Sequence, residues 1–390
     1  MAVVPSAFIP VSGYRFMIAD APHCHLLVGS DRFWRSARAD IERASRRVLI
    51  QALTFEGDSV GFAVAGAVTS SPAPDRRVLV DDFTRMVIND RFVRSPTNLL
   101  DPALRAEVRA TKTMFEALQG NGVRVGRTNS LRGNPLRYGL RNHKKLIVAD
   151  DVAYVGGTNF SEHNFAWHDM MLRIDDKEAA SFLAADFDAT WDGHAHLTHR
   201  HIGSLELSCL DGQTNEAGFQ PLLEAIAGAQ TSIFVVSPYL SFPFIDHLGG
   251  AAGRGVQVEV LTPLPNNKPL VRNYLIAACE KAGISVLLTP EMFHLKGMLI
   301  DEKVLALGSS NFDFPSYYSM EEFLVLARSP TLAASFEAEV LVPLQAAAVP
   351  AAGHRPSRRQ VLVSRVLMGL AGFGVKRLSR LPRGPAVPGW

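Results

Sequence analysis

Two stretches of this chain carry the same chemical pattern 151 residues apart. The first reads Arg141-Asn142-His143-Lys144-Lys145-Leu146-Ile147-Val148-Ala149-Asp150 and continues through Tyr154-Val155-Gly156-Gly157-Thr158-Asn159. The second reads His294-Leu295-Lys296-Gly297-Met298-Leu299-Ile300-Asp301 and continues through Leu307-Gly308-Ser309-Ser310-Asn311. Each is His-x-Lys-x4-Asp followed by a glycine-rich turn that ends in Asn. A repeat this long implies a duplicated folding unit in which each copy carries half of one constellation. At 390 residues the chain also exceeds what one compact core normally fills, so two lobes are expected.

The flanks repeat as well. The first copy predicts a helix from Asp31 to Arg47, a strand at Val48–Leu53, a second helix and a strand at Arg77–Asp82. The second predicts a helix over Phe219–Ala229, a strand at Ser232–Val236, a glycine-bounded helix and a strand at Val256–Leu261. Short, unbroken apolar runs alternating with helical segments indicate an α/β fold with largely buried sheets. The expected division is a first lobe at 1–195, a second at 196–345, and a tail at 346–390. Residues 193–203 read as the linker between the lobes; the four histidines within it, His194, His196, His199 and His201, are irregularly spaced and look structural rather than metal-binding.

In each motif the alternation expected of a strand places His and Lys on one face, and a hairpin after the Asp returns the Asn-bearing turn beside them. The chemistry of a phosphodiester explains why these residue types belong together. Its substitution needs a nucleophile, a proton donor for the departing oxygen and compensation for charge on the nonbridging oxygens. Two imidazoles, His143 and His294, can attack and donate near neutral pH. Lys145, Lys296, Asn159 and Asn311 can hold the phosphate oxygens. No cofactor or metal is called for. Asp150, Asp301, Gly157 and Ser309 complete the motifs in support.

These paired motifs resemble those of the phospholipase D superfamily. The flanks Arg-Asn-His-Lys-Lys, Ala-Tyr-Val-Gly-Gly-Thr-Asn, Trp167-His168-Asp169 and Gly308-Ser309-Ser310-Asn311-Phe312-Asp313 look most like bacterial cardiolipin synthases. The likeness covers about residues 25 to 345. It implies two pseudo-twofold-related α/β/α sandwich lobes sharing one active site at their interface, and a covalent phosphohistidine intermediate. By that analogy His143 is the nucleophile and His294 the general acid and then base. It further implies that each histidine is oriented by a carboxylate of the other lobe: Glu322 for His143, and Asp169 for His294. Two departures bear on subfamily more than on chemistry: the first hairpin is one residue shorter, and Met320 stands where relatives often have Asn.

The substrate reading rests on charge and hydropathy. Arg127, Arg132, Arg137 and Arg141 precede the first motif, and Arg137 and Arg141 are candidate contacts for an anionic headgroup. The net charge of +2 conceals a tail, Gln345–Trp390, with eight Lys or Arg and no acid, leaving −6 on the rest. That imbalance disfavours a nucleic-acid partner, which needs many phosphate contacts spread over the catalytic body. Gln360–Val375 mixes apolar residues with basic flanks and is expected to form a membrane-surface helix. No unbroken apolar run spans a bilayer, no secretory leader is evident, and three scattered cysteines suit a reducing compartment, so placement on the cytoplasmic face of a cell membrane is expected. The leading expectation is phosphatidyl transfer from one phospholipid, such as phosphatidylglycerol, to a lipid or glycerol hydroxyl. Hydrolysis to phosphatidic acid is the alternative; endonuclease action is a further one.

Overall fold

The structure, a computed structural model, describes residues 23–131 and 135–390. The expectation about a leader and the candidate Arg132 lie outside them. The first lobe contributes strands β1 (His23–Val28), β2 (Arg47–Ala52), β3 (Asp75–Asp81), β4 (Val87–Ile88), β5 (Arg91–Phe92), β6 (Arg124–Thr128), β7 (Leu146–Ala149), β8 (Val152–Gly156) and β9 (Met170–Asp175). The second contributes β10 (Thr198–Ile202), β11 (Leu205–Asp211), β12 (Ser232–Val236), β13 (Gln257–Pro263), β14 (Ser285–Thr289), β15 (Gly297–Ile300), β16 (Val304–Gly308) and β17 (Glu321–Ala327). Two short strands, β18 (Val349–Pro350) and β19 (Val387–Pro388), come from the C-terminal segment.

The sheets run β1-β9-β8-β7-β2-β3-β6-β19 and β10-β11-β17-β16-β15-β12-β13-β14-β18, the same order apart from the added edge strand β10. In both, three parallel strands adjoin an antiparallel arm that begins with the motif hairpin. Side-chain alternation shows why these runs are apolar throughout. Leu146 and Val148 enter a cluster shared by the two lobes, while Ile147 and Ala149 enter the first lobe's own core. Likewise Leu305 and Leu307 join the shared cluster, and Val304 and Ala306 the second lobe's core. Burying both faces leaves no position for a polar residue, and each large apolar side chain removed from water contributes roughly 1.5–3 kcal/mol. The shared cluster fixes the lobes against each other and so fixes the distance between their motifs.

The hairpins turn on the motif aspartates. Asp150 and Asp301 have left-handed backbones, φ 53° and 50°. Asp150 accepts from the backbone N–H groups of Ser45, Arg46 and Arg47 at 2.8–3.0 Å, and Asp301 from those of Gln230, Thr231 and Ser232 at 2.8–3.1 Å. Both therefore tie the far end of the hairpin to the loop entering the parallel strands. The extra residue of the second hairpin is taken up in the turn, where Glu302 is also left-handed.

Two expectations need correction. The stretch read as a linker contains β10, paired along its length with β11; there His199 Nδ1 contacts Ser208 Oγ at 2.8 Å, and outside the strand His196 turns to the carbonyl of His194. The C-terminal segment, expected as a basic amphipathic tail, is a strap over both lobes. β18 extends the second sheet beside β14 and β19 extends the first beside β6, with Trp390 stacked on Phe115. Between these strands lies one continuous helix, Arg358–Leu378, opened by a capping box of Ser357 and Gln360. Its three glycines do not break it. A Cβ on Gly372 would stand 2.6 Å from the Phe242 ring, so glycine there is what lets the helix sit against the second lobe. Arg383, counted with the basic tail, turns its side chain, 8% exposed, into the lobe junction and pairs with Glu321 at 3.4 Å.

Candidate active site

Each motif histidine lies in an extended run just before its strand rather than within it, where backbone groups are free to bond across the lobe boundary. His143 N–H donates to the carbonyl of Glu321 at 2.8 Å, and His294 N–H to that of His168 at 2.7 Å. These reciprocal bonds bring each histidine beside the carboxylate that follows in the other lobe. His143 Nδ1 lies 3.1 and 3.0 Å from the two oxygens of Glu322, and His294 Nδ1 lies 2.9 Å from Asp169 Oδ2. The crossed pairing implied by the resemblance is the pairing observed.

The carboxylates are themselves held. Glu322 accepts from Ser316 Oγ at 2.7 Å and from Ser309 Oγ, whose oxygen also accepts from Phe323 N–H at 2.8 Å. Asp169 is one methylene shorter, and the first lobe answers with glycine: a Cβ on Gly157 would stand 2.4 Å from Asp169 Oδ1. All four groups are nearly or wholly buried. Burial pulls His143 down to about 4, with Glu322 opposing and Lys145 reinforcing the shift. Burial and then Lys296 pull His294 down to about 3. Against burial, which disfavours ionisation, the imidazole of His143 holds Glu322 below the usual carboxylate range; Lys296 and then His294 do the same for Asp169. Without a bound anion both imidazoles are neutral, with Nδ1 facing a carboxylate and Nε2 left for chemistry. A phosphodiester anion between them would raise both by opposite-charge attraction, which would allow one to carry a proton.

Lys145 and Lys296 are also buried, and each donates to the carbonyl of its own motif histidine, Lys145 at 2.7 Å. Lys296 Nζ further lies 2.7 Å from His294 Nδ1 and 3.7 Å from Asp169, and burial lowers it to about 8. Lys144 is a strut, its ammonium 2.7 and 2.8 Å from the oxygens of buried Asp186.

Both histidines, Asn159 and Asn311 line one cavity of about 470 Å³. Asn311 Oδ1 is buried there without a hydrogen-bond partner among the described residues, while Asn159 Oδ1 accepts from Thr54 N–H. The wall contains residues to which the sequence reading assigned no role. Trp167 and Tyr239 rings lie 5.8 and 6.1 Å from that of His294, Lys268 Nζ lies 4.1 Å from the Tyr239 ring centroid, and buried Glu56 closes another side. Trp167 adjoins the Asp169 motif and could have been flagged; Tyr239, Lys268 and Glu56 follow no local signal.

The headgroup role expected of Arg137 and Arg141 is not what their contacts serve. Arg141 lines the cavity, but its guanidinium is spent on Asp81 at 2.5 Å and on the carbonyls of Tyr138 and Arg137. Asp81 also accepts from Asn142 N–H at 2.6 Å, so this pair clamps the chain immediately before His143. Arg137 donates to the carbonyls of Ser130 and Pro382 and braces the loop against the C-terminal strap.

Two lobes related by a pseudo-twofold, with crossed His–carboxylate pairs over one cavity, define a phospholipase D-type enzyme. The chain belongs to the family described as cardiolipin synthase, PLD-like domain, whose model matches residues 38–191 and 222–341. It is 24% identical over 354 residues to the major cardiolipin synthase of Bacillus subtilis (strain 168), covering 80% of this chain and 68% of that one. It is 29% identical over 212 residues to cardiolipin synthase 2 of Staphylococcus epidermidis (strain RP62A), covering 47% and 43%; the match thus spans less than half of that relative's length. Among solved structures it is similar to phosphatidylserine synthase of Haemophilus influenzae Rd KW20, with TM-score 0.68 and 16% identity over 92% of this chain and 97% of that one. It is also similar to polyphosphate kinase of Porphyromonas gingivalis, with TM-score 0.55 and 14% identity over 89% and 53%. The second likeness shows that the fold alone does not choose the phosphoryl substrate.

Proposed function

We propose that this chain is a phospholipid phosphatidyltransferase that makes a cardiolipin-like product through a phosphatidyl-histidine. His143 Nε2 attacks the phosphorus of one phospholipid; the bond to the headgroup oxygen breaks, and that oxygen takes a proton from His294. An acceptor hydroxyl then attacks the phosphorus, gives its proton to His294 and forms the new O–P bond as the N–P bond breaks and frees His143. Lys145, Lys296, Asn159 and Asn311 hold the nonbridging oxygens. Glu322 and Asp169 keep the Nδ1 proton in place, so that Nε2 of each ring reacts. The observation that carries this reading is the pair of buried Nδ1–carboxylate contacts crossing the lobe boundary over a single cavity.

The lipid surface enters through the Arg358–Leu378 helix. Leu362, Val363, Val366, Leu367, Leu370 and Phe373 are exposed, at 45–65%, beside Arg358, Arg359 and Arg365, which form no ion pair among the described residues. No helix among the described residues is long and apolar enough to cross a membrane. An exposed apolar row with flanking cations supports docking on an anionic bilayer, in the interface plane. Val375, on the inner side of the same helix, lines the catalytic cavity, so the helix that docks also borders the site.

The test is product analysis with phosphatidylglycerol vesicles and a His143→Ala control. Cardiolipin plus glycerol is expected. Phosphatidic acid alone would make hydrolysis the activity, and no His143-dependent product would reject the assignment.

A further inference from the structure

Beside the catalytic cavity lies a larger groove of about 1200 Å³, which the reaction described above does not use. Among the described residues five cations line it: Arg85, Arg94, Arg105, Arg109 and Lys112. Three of these, Arg105, Arg109 and Lys112, rise in steps of four and three along one helix, Pro102–Gly120, and so share a face. Arg94, Arg105 and Arg109 form no ion pair among the described residues. Among the described residues the one acidic lining residue, Asp82, is already bound to Arg127. Between the cations the floor is apolar, with Met86, Ile88, Val93, Leu99 and Val108.

Unneutralised guanidinium groups over an apolar floor match one chemical class, an anionic amphiphile. The groove also communicates with the site of chemistry. Phe92 and Tyr138 line both cavities, with ring centroids 5.9 Å apart and exposures of 54% and 38%. The Arg141 guanidinium lies 5.5 Å from the Tyr138 ring, and Arg141 is two residues from His143. A lipid phosphate held by Arg105 and Arg109 would therefore point its headgroup over this aromatic sill toward the phosphohistidine, with the start of its acyl chains on the apolar floor.

Resting on the transfer reading, we infer that the Arg85–Lys112 groove binds the second substrate, an anionic phospholipid whose headgroup hydroxyl accepts the phosphatidyl group. A groove of this kind favours a lipid acceptor over water or a small alcohol. It thereby supplies the choice between transfer and hydrolysis that the histidines cannot make.

The experiment offers full-length protein phosphatidylglycerol vesicles together with deuterated glycerol, so that a lipid hydroxyl and a soluble hydroxyl compete for one phosphatidyl-enzyme. Mass spectrometry reads the ratio of cardiolipin to deuterium-labelled phosphatidylglycerol. Both products come from the same vesicle-bound enzyme, so the ratio does not respond to changes in membrane binding. In Arg105→Gln/Arg109→Gln it is expected to fall tenfold or more, and in Arg105→Lys/Arg109→Lys to stay within threefold of wild type. A ratio unchanged in the Gln variant, whether or not total product falls, overturns the acceptor assignment. Wild-type protein that makes neither product rejects the transfer reading itself, a result separable from failure of the groove.

Discussion

Replacing Glu322 by Gln changes almost no volume at a wholly buried position and removes the charge that faces His143. The carboxylate accepts from three donors: His143 Nδ1–H, Ser309 Oγ–H and Ser316 Oγ–H. A Gln side chain offers one oxygen and one NH2 in their place, so the two ends of the amide cannot both accept. Ser309 and Ser316 donate to different oxygens of Glu322, and Nδ1 lies 3.0–3.1 Å from both, so the NH2 that replaces either oxygen faces Nδ1; Nδ1 then accepts from it, and the imidazole proton moves to Nε2. Nε2 is the atom proposed to attack phosphorus, and protonated it has no lone pair to give. The corresponding Asp→Asn change in the Ser-His-Asp triad costs about 10⁴ in kcat through the wrong tautomer. Here a fall of roughly 10³–10⁴ is expected, or about 4–5.5 kcal/mol at 1.36 kcal/mol per tenfold. Initial rates on phosphatidylglycerol vesicles should show the loss in kcat with KM nearly unchanged, because Glu322 faces the imidazole and not the lipid. Ser316→Ala removes only one of the three donors and should cost about tenfold. A Glu322→Gln enzyme within tenfold of wild-type kcat, or one whose loss lies wholly in KM, would refute the tautomer argument.

Adding a Cβ at position 157 places it 2.4 Å from Asp169 Oδ1, so Gly157→Ala should push the carboxylate off His294 and lower kcat by about 10²; an unchanged rate would mean that Asp169 does not orient that ring. Glu56 is pushed up to about 8, first by burial and then by the Glu107 and Asp58 carboxylates, against the opposing Asn89 N–H. The folded protein thus keeps a proton that the unfolded chain releases near 4.5, and this costs stability increasingly as pH rises from that value to about 8, on the order of a few kcal/mol at the upper end. Glu56→Gln should therefore raise Tm at pH 8 clearly more than at pH 5, and equal gains at both would contradict the assignment. On the exposed face of the C-terminal helix, Leu367→Glu/Leu370→Glu should reduce sedimentation with phosphatidylglycerol vesicles at least tenfold while leaving Tm within about 2 °C, since surface changes cost little stability; undiminished sedimentation would place the docking face elsewhere.

The duplicated motif carried most of the architecture, because a sheet buried on both faces writes its strands as apolar runs and its hairpins as fixed offsets. Asp169 and Glu322 were legible through the same regularity, at 26 and 28 residues after their motif histidines. What the sequence concealed was pairing over long separations. Arg141 resembles a free headgroup ligand until Asp81 is seen beside it, 60 residues earlier in the chain. Arg383 resembles one more tail cation, yet its side chain turns into the lobe junction against Glu321. The same reasoning applies to the strap: two-residue strands such as β18 and β19 have no periodicity to read, and their pairing to opposite lobes follows only from where the body leaves sheet edges open. Glu56, Tyr239 and Lys268 are ordinary residues locally and become cavity walls through the packing of two lobes.

On the proposed mechanism the buried crossed pairs prepare His143 to form a covalent bond to phosphorus. This is tested most directly by mixing wild-type protein with phosphatidylglycerol vesicles, quenching in alkali, where phosphohistidine survives, and mapping the adduct by peptide mass spectrometry. The expected result is a phosphatidyl group, or the glycerophosphoryl group left where alkali strips its acyl esters, on the peptide containing His143, lowered by excess glycerol and absent from His143→Ala. An adduct on the His294 peptide, or turnover that persists in His143→Ala, would contradict it.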